Sequence, residues 1–170
     1  MALRRPLLVL ALLGAFGCRG RWPSWRSADA GDPGAANVRA DLSGDWPLRT
    51  EAELQRAIDD ALARARRQRK AVLLEFVAGW CSDCQQMVRI EMLSPAREVL
   101  AQRYERVTIN VGNFDRHLTL LRTYGIDRIA AYVVLDAQSG MRVAQTTMEP
   151  VTQHREITPE RWAAWLQNPR

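Results

Sequence analysis

The sequence predicts an α/β fold in which a mixed central sheet is flanked by helices. Three observations carry this. Two continuous apolar runs, AVLLEFV (71–77) and RVTINV (106–111), have the length and character of strands buried on both faces. Stretches with helical spacing lie between and after them, so crossovers join parallel strands. Residues 131–136 and 141–147 then read as two strands around a turn at Ala137 to Gly140, an antiparallel hairpin that ends the sheet.

The elements can be justified in order. A helix starts near Thr50, where Thr50 and Glu53 form a capping box. Leu54, Ala57, Ile58, Ala61, Leu62 and Ala65 give it an apolar face at three- and four-residue spacing. Strand 71–77 follows, and residues 84–93 suit a second helix. Ser94 and Pro95 look like the N-cap and first turn of a third, reaching about Arg103. After strand 106–111, a short helix over roughly Arg116 to Tyr124 is closed by Gly125. Beyond the hairpin, Thr158-Pro159-Glu160 opens a C-terminal helix with Trp162, Trp165 and Leu166 on one side, a pattern read as core. No internal repeat is visible.

The N-terminus has a different character. MALRR is a short positive segment, and PLLVLALLGAFG is an apolar stretch too short to span a bilayer comfortably. Residues 1–18 are therefore expected to be a secretory signal. It ends in AFGC, which resembles the lipobox of bacterial lipoproteins: Gly17 fits the small residue before the cysteine, while Ala15 stands where Leu is usual. The expectation is lipidation at Cys18, export to a bacterial periplasm and attachment to a membrane through lipid. Residues 19–45, rich in Gly, Ala, Pro and Asp, read as a flexible tether carrying Trp22 and Trp25. Residues 46–170 form the domain.

Charge narrows the function classes. The net charge is +5, yet of 24 basic residues only Lys70 is lysine, a pattern of compositional bias. The single dense run, Arg64, Arg66, Arg67, Arg69 and Lys70, lacks interleaved aromatics and reads as a solvated helix end, so no nucleic-acid partner is expected. The cysteine count of three is odd for an exported chain. If Cys18 carries lipid, Cys81 and Cys84 remain as a pair.

That pair stands in AGWCSDCQQM, behind a strand and at a helix start. There the unpaired N–H groups and the helix dipole favour a negative sulfur at Cys81. A thiolate at Cys81 can attack a disulfide, and Cys84, one turn on, can displace the partner. Two rival readings remain. As half of a zinc site the pair lacks further ligands, since the chain has only His117 and His154 beside Cys18. Copper held by Cys81, Cys84 and a histidine or methionine is the second, and it would make the protein a non-catalytic binding module. A purely structural staple across so small a loop stabilises little. Asp83 places a negative charge beside Cys81, disfavours its thiolate and favours a reductant over an oxidase.

Taken together, the order of elements, Val72 to Phe76 before Trp80 to Cys84, Ser94-Pro95, and Tyr124-Gly125-Ile126 resemble the thioredoxin superfamily. The similarity is to thioredoxin-like proteins related to the C-terminal domain of the transmembrane reductase DsbD. It implies a thioredoxin-like fold and a thiol–disulfide oxidoreductase acting on protein disulfides or a membrane redox partner. No cofactor is needed, because electrons move between dithiols. The family often buries an acid six residues before the first cysteine, the position of Glu75 here. In an apolar strand its charged form would be disfavoured, making it a candidate proton relay for Cys84. Trp80 would pack beside the dithiol, with Ser82 and Asp83 shaping the motif. One departure stands out: where the family has a cis-proline, this chain has Ile129-Ala130-Ala131. A non-proline cis bond costs about 3 kcal/mol, so a trans, differently shaped loop is expected at Ile129 and Ala130.

Overall fold

A computed structural model describes residues 46–152 and 156–170. The expected signal, the tether, Cys18 and His154 lie outside the described residues.

The first helix, α1 (Glu51–Gln68), is capped as the sequence requires. Thr50 Oγ1 accepts from the Glu53 N–H at 3.3 Å, and Glu53 accepts from the Thr50 N–H at 2.7 Å. Strand β1 (Ala71–Val77) leads into α2 (Ser82–Glu91), then α3 (Ala96–Arg103) and β2 (Tyr104–Asn110). Helix α3 begins after Pro95, which is its N-cap in place of Ser94 and has no side-chain acceptor to offer the first turn. The chain continues through α4 (Leu118–Tyr124), β3 (Ala131–Leu135) and β4 (Arg142–Thr147). A short helix not anticipated from sequence, α5 (Met148–Thr152), precedes α6 (Pro159–Gln167). Gly125 closes α4 at φ +62°, a left-handed conformation that glycine adopts without a Cβ penalty.

The sheet order is β2-β1-β3-β4. Strand β1 runs parallel to β2 and antiparallel to β3, and β3 pairs antiparallel with β4. This is a mixed four-stranded sheet in a thioredoxin-like fold. Alternation along β1 sorts its side chains into two cores. Val72, Leu74 and Phe76 face α1 and α4, meeting Leu54, Ile58, Ala61, Ala65 and Leu121. Leu73 and Val77 face the other side, with Cys81, Cys84, Met87, Leu100, Tyr132, Trp162 and Leu166. Glu75 lies between Leu73 and Val77 in the strand, so period two turns it to the face that carries the cysteines.

The outer edge of β2 meets the segment that enters the domain. Asn110 Nδ2 donates to the Trp46 carbonyl at 3.1 Å, and Arg49 donates to the Thr108 carbonyl at 2.7 Å. At the other end of β2, the Tyr104 hydroxyl donates to the Leu166 carbonyl at 2.5 Å and ties α6 to the sheet. Among the described residues no helix is long and apolar enough to cross a membrane.

Candidate active site

The turn from β1 into α2 builds the site. The Cys81 N–H donates to the Ala78 carbonyl at 3.0 Å, which folds Gly79 and Trp80 into a tight bend. Cys81 is then the N-cap of α2, extended at φ −82°. Its sulfur accepts from the Cys84 N–H at 3.0 Å, one of the orphan donors of the first turn. A helix N-terminus stabilises negative charge, so this position favours the thiolate of Cys81 once the pair is reduced. The two cysteines form a disulfide with their Cα atoms 5.3 Å apart. Cys81 is 4% exposed and Cys84 1%.

Ser82 and Asp83 occupy the first turn, with Ser82 exposed and Asp83 half-buried. Trp80 is 58% exposed. Rather than packing into the core, its indole N–H donates to the Gly112 carbonyl at 2.9 Å, and its ring tilts against Phe114 at 6.2 Å. The loop after β2 thereby braces the dithiol turn. Gly112 has φ +59°, and a Cβ there would stand 2.3 Å from Asp115 Oδ1, so the bracing loop requires glycine.

The loop before β3 corrects one expectation. The Ile129–Ala130 peptide is cis, not trans, although no proline is present. Ala130 is buried in the apolar cluster that holds both cysteines, with Ile129 packed at its margin. The next residue, Ala131, is paired on both sides, to Phe76 and Thr147, so the sheet and the packing together determine the path of this loop.

On the sheet face that carries the cysteines lies a buried charged cluster of Glu75, Arg106 and Glu91. Arg106 Nε donates to Glu75 Oε1 at 2.7 Å, and Nη2 donates to Glu75 Oε2 at 3.0 Å. The Thr108 hydroxyl donates to the same carboxylate at 3.2 Å. Arg106 Nη2 also donates to Glu91 Oε2. Glu91 lies seven residues after Cys84, and Cys84, Met87 and Glu91 form the buried face of α2. Burial pushes the Glu91 carboxyl up to about 8; Arg106 opposes the shift and Glu75 adds to it. Glu91 Oε1 has no hydrogen-bond partner, and the buried Trp162 indole N–H, which favours the charged carboxyl, has none of full geometry either. Burial, then Glu91 and Glu75, drive the Tyr132 hydroxyl well above its ordinary range. Arg106 was visible in sequence only as the first residue of a strand. Glu91 left one signal, a lone carboxylate at the helical repeat of Cys84 and Met87.

Among the described residues no group of three or more histidines, cysteines or acids gathers as a metal site. His117 is buried against Glu51, with Nδ1 3.0 Å from Oε1.

A strand-to-helix turn with a dithiol at the helix N-terminus, on a mixed sheet, defines the thioredoxin class. The thioredoxin-like family model matches residues 53–137, and the chain belongs to that family. A disulphide isomerase from Xylella fastidiosa is similar at 31% identity, with a TM-score of 0.61 over 71% of this chain and 94% of that one. The C-terminal domain of DsbD from Neisseria meningitidis, in its oxidised form, is similar at 21% identity and TM-score 0.54, over 73% and 100%. A thioredoxin from Thermus thermophilus shares 20% identity at TM-score 0.51, over 64% and 79%. These last two share the fold. Among curated proteins, none matches in sequence.

Proposed function

We propose that the chain is an exported, lipid-anchored thiol–disulfide oxidoreductase acting as a reductant of protein disulfides. The observation that carries this is the placement of the pair, with Cys81 as N-cap of α2 and Cys84 buried behind it. The name of the Xylella fastidiosa protein, a disulphide isomerase, supports the same chemistry.

In the reduced protein the Cys81 thiolate attacks a partner disulfide. One partner sulfur leaves as thiolate, and a mixed disulfide forms at Cys81. Cys84 then loses its proton and attacks the Cys81 sulfur. The second partner sulfur leaves, the Cys81–Cys84 disulfide closes, and two electrons have passed to the partner. Cys84 is shielded from water, so its proton needs an internal acceptor. Glu75 is the candidate, on the same face of β1. Trp80, Ser82, Asp83, Ile129 and Ala130 shape the surface that the partner meets. Export and the anchor at Cys18 rest on the N-terminal sequence, as does a periplasmic location.

The test is the reduction potential of the pair, in the full chain carrying Cys18→Ser. It is equilibrated in glutathione or dithiothreitol buffers and read by thiol trapping. A reversible two-electron transition near about −270 mV supports the reductant, while one near about −120 mV makes it an oxidase. A pair that never closes reversibly ends the exchange reading, and copper titration of the dithiol then decides for the binding module.

A further inference from the structure

We propose that Glu91 is a positioning residue that acts through Arg106 to set how readily Glu75 accepts the proton of Cys84. This deepens the exchange reading and rests on it. The argument begins with charge. Glu75 and Glu91 both bond Arg106, and their side chains are almost wholly shielded from solvent. Two anions facing one guanidinium leave an excess negative charge in a water-poor place, which is costly. The cluster therefore retains a proton that an exposed pair of glutamates would lose. Among the described groups that act on Glu91 and Tyr132, Arg106 is the one cation. Thr108 from β2 and Trp162 from α6 are neutral donors, and Tyr132 from β3 stays protonated. Asp83, on α2 itself, adds another negative charge near Tyr132.

Arg106 Nη2 bonds both carboxylates, so the balance between them shifts without a side chain moving. When Glu91 holds the proton, Arg106 and Glu75 neutralise one another. When Glu91 is ionised, the guanidinium is shared between two anions and offsets the charge of Glu75 less completely. Proton transfer from Cys84 to Glu75 then brings the cluster back to one proton. The upward shift of Glu91 places this change near neutral to mildly alkaline pH.

The test isolates the resolving step. The reduced full chain carrying Cys18→Ser reacts with 5,5′-dithiobis(2-nitrobenzoate) in a stopped-flow cell. Attack by Cys81 releases the first thionitrobenzoate, and attack by Cys84 releases the second. In the parent protein the second phase should rise with pH in two stages, the lower one following Glu91. Glu91→Gln imitates the protonated acid. It should keep the fold, lose the lower stage, and slow the second phase about tenfold on the alkaline side. Glu91→Asp should restore the lower stage.

A merely structural role predicts that Gln, the closer match in shape, behaves as the parent and that Asp does not; that outcome overturns the proposal. Carbon-13 NMR of the Glu91 carboxyl in the parent protein covers the case in which Glu91→Gln fails to fold. The midpoint should differ between disulfide and dithiol forms, and an unchanged midpoint refutes the coupling. Absence of any second phase in the parent protein sinks the exchange reading itself. Two phases with identical pH profiles in parent and Glu91→Gln sink only the role of Glu91.

Discussion

The backbone N–H of Cys84 donates to the sulfur of Cys81 at 3.0 Å, so the sulfur that caps α2 is also the one proposed to attack. Serine is a good N-cap, and Cys81→Ser should alter stability by no more than about 1 kcal/mol while abolishing exchange. Cys84→Ser should still attack and then stall as a mixed disulfide at Cys81, visible by mass spectrometry. Stalling at position 84 in Cys81→Ser instead would reverse the two roles.

Arg106 is the sole cation bonded to both buried carboxylates among the described contacts. Arg106→Leu leaves two acids buried without their counter-charge and should cost about 3 to 5 kcal/mol in urea unfolding. Replacing all three charged residues together, as Glu75→Leu, Arg106→Leu and Glu91→Leu, should recover much of that loss, because an apolar core needs no internal pairing.

Stability should also vary with pH in a direction set by Glu91. Its folded-state value lies near 8 against an ordinary 4.5, so the native state holds a proton that the unfolded chain releases across that window. Unfolding free energy should therefore fall as pH rises from about 4.5 to about 8, and stop falling on this account above it. Glu91→Gln should flatten the slope. Urea midpoints at several pH values measure this, and an equally steep slope in Glu91→Gln would assign it elsewhere.

At the start of α1, Thr50→Ala removes the hydroxyl half of the capping box and leaves the backbone N–H that donates to Glu53. The expected loss is about 1 kcal/mol in thermal or urea unfolding. The reduction potential should be unchanged, because α1 packs on the sheet face opposite the cysteines.

Local rules made most of the fold legible. Strand AVLLEFV, the Thr50 cap, the Gly125 stop and the Thr158-Pro159 start all show in the structure at or near the expected positions. Each depends on neighbours in sequence or on simple alternation. The buried cluster was less legible because it depends on neighbours in space. Glu75 pairs in register with Thr108, and Arg106 lies two residues earlier in the same parallel strand, a relationship set by strand registration. Glu91 reaches them from a helix. The cis peptide at Ala130 is similar in kind, since a buried loop entering a strand paired on both sides follows its surroundings more than its own residue preference.

The family match ends at residue 137, but the molecule's insulation does not. Trp162 and Leu166, in the last helix, lie in the same apolar cluster as the cysteines and are fully buried there. A chain cut after the matched span would keep the motif, the first three strands and all three members of the charged cluster. It would lose the wall that keeps water from Glu91, and with it the reason that acid holds a proton. The family signature and the dry chamber behind it thus lie in different parts of the chain, the first before residue 137 and the second closed by the last helix.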